Sequence, residues 1–266
     1  MTQHSDVLSD LVAEGNALDA LLADGGETEW ARPTPAEGWS VRHQVAHLIM
    51  VFGLAEKAAE DPAGFKAFLA GITTFGEAVQ NGLKPYLPLE GAQLIETWRT
   101  QRAATERALN RVPQERLVPW LVRPIPAAVL AAVGIMEMFA HGQDIADALE
   151  VERQYTDRVR HVAEYTCLTW EFGYESHGLP RPRKGLRFEL TAPSGQTWTL
   201  GALDAEQQIT GPAVDLCLLA TRRRHRDDLA LTASGPDADQ WLDIAQAYRG
   251  PTGPGRRPGQ FARAGR

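Results

Sequence analysis

The sequence predicts an α+β protein of two parts, an N-terminal four-helix bundle followed by a small domain of sheet and helices. Three observations carry this. The chain has 266 residues, too long for one compact bundle and comfortable for two modest cores. Apolar residues recur at three-and-four spacing over most of the first 150 positions, which is helical. Beyond Gly185 the pattern shifts to an alternation of apolar and polar residues, which marks strands.

Leu8, Leu11, Val12, Leu18, Leu21 and Leu22 form one stripe, so the first helix is expected over about 6–22. A Gly/Pro-rich link follows and ends at Ser40, a good N-cap for a helix whose apolar positions are Val41, Val45, Leu48, Ile49 and Phe52. Further helical stretches are expected over about 62–80 and 90–111, and a long one over about 126–149. An amphipathic segment at about 157–176 leads into the breaker-rich GLPRPRKG, placing the boundary of the bundle domain (1–178) there. GLRFELTA and QTWTLG, joined by Pro193, Ser194 and Gly195, predict a hairpin. Two amphipathic stretches, 213–221 and 237–248, complete a small α/β domain over 179–250, and 251–266 reads as a flexible basic tail.

Composition excludes several classes. An apolar fraction of 44% is that of a soluble globular chain, and a formal net charge of -7 argues against a nucleic-acid partner, which needs a positive footprint. Cys167 and Cys217 both lie in apolar helical patterns and fit a reducing cytoplasm. Neither an export signal nor a membrane span is expected. The chain lacks a Gly-rich phosphate loop, a His-Glu-x-x-His and a Gly-x-Ser-x-Gly. His161, His177 and His225 are scattered singly.

Chemistry concentrates in the long helix at 126–149. Glu137 and His141 are four residues apart and share one face. A carboxylate among Ile135, Met136, Met138 and Phe139 is costly to ionise without a cation or metal beside it. His47, on the second helix, is the natural third donor in a bundle interior, with His43 one turn earlier as the alternative. Three protein ligands leave a coordination position open, as catalytic zinc sites do. Asp144, three residues beyond His141, reads either as a carboxylate that orients an imidazole or as a solvated helix charge.

The segments TPAEGWSVRHQVAHL and EMFAHGQDIADAL resemble the two metal motifs of the DinB-like, mycothiol-dependent maleylpyruvate isomerase family. The stretch ITGPAVDLCLLATRR resembles that family's sterol-carrier-protein-like C-terminal module. The resemblance implies a bundle of down-up-up-down type, with His47, Glu137 and His141 as ligands of a divalent ion, usually Zn²⁺. It also implies mycothiol as thiol cosubstrate, attacking a small electrophile in isomerisation or S-transfer. Arg222, in the run Arg222-Arg223-Arg224-His225-Arg226, is the nearest match to a substrate-carboxylate binder; a helix-end arginine run also satisfies terminal carbonyls. Two other functions are weighed: a metal-hydroxide hydrolase or lyase on the same bundle, and a non-catalytic small-molecule or lipid-binding protein with a structural metal. The expected assembly is a monomer or a homodimer.

Overall fold

The computed structural model describes residues 6–23, 25–250 and 252–261. The chain divides into two compact units, Met1–Arg153 and Gln154–Arg266.

The first unit contains α1 (Val7–Leu22), α2 (Glu27–Ala31), α3 (Val41–Glu60), α4 (Pro62–Ala70), α5 (Phe75–Leu83), α6 (Gly91–Asn110) and α7 (Ala127–Leu149), with a two-stranded ribbon, β1 (Leu117–Val118) and β2 (Ile125–Pro126), before α7. Helix ends follow the local chemistry. The Asp6 side chain accepts from the Leu8 amide at α1, Asp61 accepts from the Gly64 amide with Pro62 in the first turn of α4, and Glu150 ends α7 in the left-handed conformation. The expected single helix over 62–80 is broken: α4 stops at Gly71, and the Thr74 hydroxyl accepts from the Glu77 amide to start α5.

Four helices form the bundle. Around its circumference α1 packs on α7, α7 on α3, α3 on α6 and α6 on α1, while α4 and α5 lie against α3. The apolar stripes meet inside: Leu11 and Leu18 from α1, Leu48 and Phe52 from α3, Leu94 and Trp98 from α6, and Met138 and Phe139 from α7 are buried. Phe52 and Trp98 meet edge to face at 4.9 Å between ring centroids. Among the described residues no helix is long and apolar enough to cross a membrane.

The second unit contains α8 (Val159–Leu168), α9 (Phe172–His177), β3 (Arg187–Thr191), β4 (Thr197–Gly201), β5 (Gln208–Pro212), α10 (Ala213–Ala220), β6 (Thr232–Ser234) and α11 (Pro236–Ile244). The hairpin forms as expected, with Leu190 opposite Trp198 in the antiparallel β3–β4 pair. The sheet runs β4-β3-β5-β6, with β3 and β5 parallel and β5 and β6 antiparallel. Phe188, Leu190 and Ile209 point into the core of this unit.

The compact units divide at Arg153, earlier than the boundary expected at 178. Residues 154–178 group with the sheet domain because the apolar face of α8, with Val159, Val162 and Ala163 buried, packs on α10 and β4. GLPRPRKG is therefore a connection inside the second unit. The expected tail also differs. Its residues 251 and 262–266 lie outside the described residues, but 252–261 return to the loop after α10: the Gly259 amide donates to Asp228 at 2.7 Å, and the Arg224 guanidinium sits 4.0 Å from the centre of the Phe261 ring.

Candidate metal centre

The loop before α3 sets the site's outer wall. Thr34 binds the Trp39 carbonyl twice, by its amide and by its hydroxyl, each at 2.8 Å, and Gly38 closes the turn at a φ of 77° that side chains disfavour. Arg32 of the same loop donates to the Ala148 carbonyl at the end of α7 at 3.1 Å, tying the start of α3 to α7. The Trp39 indole then lies over the imidazoles of His47 and His141, at 5.4 and 6.1 Å between centroids.

Helices α3 and α7 present the functional side chains to each other. His47 comes from α3, and Glu137 and His141 come from one face of α7. Nε2 of His47 is 3.5 Å from Oε2 of Glu137, and Nε2 of His141 is 3.3 Å from the same oxygen. One ligand atom from each residue lies within 4.8 Å of the other two. These separations exceed the 2.7–2.9 Å usual for a charge-assisted hydrogen bond. They match the edge of a tetrahedron: ligand atoms about 2.0–2.1 Å from a zinc ion stand roughly 3.4 Å apart. The donor set, two imidazoles and one carboxylate, suits a borderline divalent metal. The three residues thus fit the ion that the sequence implies.

Charge agrees with geometry. Burial alone raises the Glu137 carboxyl, but contacts with His141 and His47 outweigh it and hold the group well below the usual carboxylate range. The site therefore keeps an anionic oxygen between two imidazole nitrogens.

His43, the alternative to His47, falls outside this group of three among the described residues. Its Nδ1 accepts from the Ser40 amide at 3.2 Å and lies 2.9 Å from the Ser40 hydroxyl, completing a capping box at the start of α3. Burial, and then neighbouring Arg42, lower its pKa. Asp144 is fully buried, which excludes the solvated-charge reading. Arg222 stands in the second unit just beyond α10, in the left-handed conformation with φ of 60°, and donates to the Gly253 carbonyl at 3.4 Å. A residue that sequence reasoning missed is Gln44: it is completely buried on α3, and its Oε1 lies 2.5 Å from Nδ1 of His141. The available signal was a polar residue one turn before His47 inside an apolar stripe.

Residues 11–146, a stretch that includes every one of the three candidate ligands, match the family described as Mycothiol maleylpyruvate isomerase N-terminal domain. The chain belongs to the mycothiol maleylpyruvate isomerase family. Relatives of this family member extend the likeness past the bundle. The uncharacterized proteins MT0041 and Rv0036c of Mycobacterium tuberculosis, from strains CDC 1551 and H37Rv, are each 38% identical over 257 residues, covering 96% of this chain and 100% of theirs. Among solved structures, the crystal structure of the mycothiol-dependent maleylpyruvate isomerase aligns with a TM-score of 0.58 at 17% identity, over 87% of this chain and 94% of that one. A structure of that enzyme with one histidine replaced by alanine gives 0.56 over the same shares. The expected α+β architecture, a bundle followed by a small α/β domain, is the fold this family member shares with them.

Proposed function

We propose that this family member is a metal-containing enzyme that uses mycothiol to attack a small electrophile, in isomerisation or S-transfer. The observation that carries the reading is the tetrahedral-edge spacing of the His47 and His141 nitrogens from the Glu137 oxygen inside a bundle of this family. A bound Zn²⁺ would supply the Lewis acidity that leaves a coordinated thiol ionised at neutral pH.

The chain's own groups prepare the rest. Glu137 is kept anionic, so the site has a fixed negative oxygen, and the Trp39 ring covers the imidazoles and limits water there. Neither protein cysteine competes as nucleophile: burial, the larger cause, and nearby acidic or thiol groups push Cys167 and Cys217 far above an ordinary thiol. Arg222 is assigned to binding a substrate carboxylate, and Asp144, buried three residues beyond His141, to orienting an imidazole. A low-molecular-weight thiol cosubstrate fits a reducing cytoplasm, where the protein works as a monomer or homodimer without nucleic acid or membrane.

The test uses purified protein holding one zinc per chain, assayed with maleylpyruvate and with other small electrophiles, with and without mycothiol. Thiol-dependent turnover is expected. Equal turnover without thiol would replace this reading by a metal-hydroxide hydrolase or lyase. In the same assay Arg222→Ala is expected to raise KM for a carboxylate substrate with zinc retained; unchanged kinetics would end that assignment of Arg222.

A further inference from the structure

The position of Gln44 has a chemical consequence that can be followed atom by atom. The Trp39 carbonyl can only accept, so the Thr34 hydroxyl, 2.8 Å away, spends its single hydrogen there. Thr34 Oγ1 is also 2.9 Å from the Gln44 amide group, and with its hydrogen committed it can only accept. The NH₂ of Gln44 therefore faces Thr34, and its carbonyl oxygen faces His141. That oxygen carries no hydrogen, so the contact at 2.5 Å requires His141 Nδ1 to be the donor. Nδ1 thus keeps its hydrogen, and Nε2 of His141, the atom that faces Glu137, is the ring nitrogen that gives up its proton to a metal ion.

We propose that Thr34 and Gln44 form a relay, anchored on the Trp39 carbonyl, that fixes His141 as the Nδ1–H tautomer and so keeps its Nε2 available to a metal ion. The inference rests on the metal-centre reading above. Gln44 is a positioning residue: it touches the ligand imidazole and no reacting atom. Its complete burial means that water does not stand in as acceptor when the amide is removed. The relay serves one ligand only. Nδ1 of His47 is buried and has no hydrogen-bond partner among the described residues, so nothing comparable directs that ring. The direction of the relay is set at its far end, by a turn whose carbonyl is already fixed by the Thr34 amide.

The test reads tautomer and metal affinity, not turnover. In metal-free protein labelled at histidine nitrogen, long-range proton–nitrogen spectra at pH 8 are expected to show His141 as Nδ1–H. Gln44→Leu, of similar size without an acceptor, is expected to admit the Nε2–H form and to weaken zinc binding about 10- to 100-fold in competition with a chromogenic chelator. Gln44→Glu keeps an acceptor at Nδ1 and is expected to restore affinity to within a few-fold. Thr34→Val leaves Gln44 in place but removes its director, so both tautomers are expected. The relay is overturned if Gln44→Leu retains wild-type zinc affinity or a wholly Nδ1–H His141. If Gln44→Leu does not fold by circular dichroism, Thr34→Val decides on the same spectra, a single unchanged tautomer overturning the relay. Wild-type protein that binds no zinc yet shows His141 as Nδ1–H would overturn the metal centre and leave the relay standing.

Discussion

Gly15 of α1 leaves the space through which Arg102 of α6 crosses the bundle seam: a Cβ built at position 15 would meet the Arg102 guanidinium and its Cδ. The guanidinium reaches Asn16 at 3.0 Å, Asp19 at 3.2 Å and Glu106 at 2.9 Å, and it donates to the Val12 carbonyl at 3.3 Å. Asp19 in turn accepts from the Trp98 indole at 2.8 Å. The absence of one side chain thus permits a buried polar lock between two helices.

Gly15→Ala is therefore expected to destabilise the first unit by about 1–3 kcal/mol, the range for an overpacked site. The Ala preference of helices, about 1 kcal/mol over Gly, works in the opposite direction. Urea unfolding followed by far-ultraviolet circular dichroism measures the balance, and a midpoint at or above that of the unmodified protein would show that Arg102 yields without cost.

His43 and His47 lie one turn apart on α3 yet have separate tasks, and substitution separates them. His47→Ala is expected to abolish stoichiometric zinc, because one of three ligands is gone. His43→Ala is expected to leave zinc content unchanged and to cost about 0.5–1 kcal/mol through loss of the helix cap. Elemental analysis of both proteins after dialysis against zinc-buffered solution provides the check. Zinc lost from the His43 variant and kept by the His47 variant would exchange their roles.

Alkaline stability should report the two cysteines. Burial is the main cause that raises both thiols above their ordinary value near 9.0. The folded protein then keeps both protons at a pH where the unfolded chain loses them. The stabilising contribution is full below the unfolded value and declines as pH rises above it. Each thiol adds a slope of up to about 1.4 kcal/mol per pH unit. Unfolding free energies between pH 9 and 10.5 under reducing conditions, compared for the unmodified protein, Cys167→Ala and Cys217→Ala, measure this. A slope identical in all three would show that the thiols are not held protonated.

Much of this molecule can be read from spacing. The helices α1, α3, α6 and α7 and the β3–β4 hairpin follow periodicity that local sequence states directly. The candidate ligands were legible because Glu137 and His141 share a helix turn and His47 lies in a segment that resembles the family's metal motif. The unit boundary was not, because the amphipathic face of α8 shows that it is buried but not which core receives it. Gln44 escaped for a related reason: its partner His141 lies 97 positions away, and a buried amide has no periodicity of its own. His43 was ambiguous only while Ser40 was read alone; the two together make the capping box.

Around the bundle, α3 meets α7 on one side and α1 meets α6 on the side opposite. The candidate ligands occupy the first contact and the Arg102 lock the second. Chemistry and cohesion are thereby allotted to different walls of the same barrel of helices. Substitutions that harden or loosen the α1–α6 wall act away from the contact that carries His47 and Glu137.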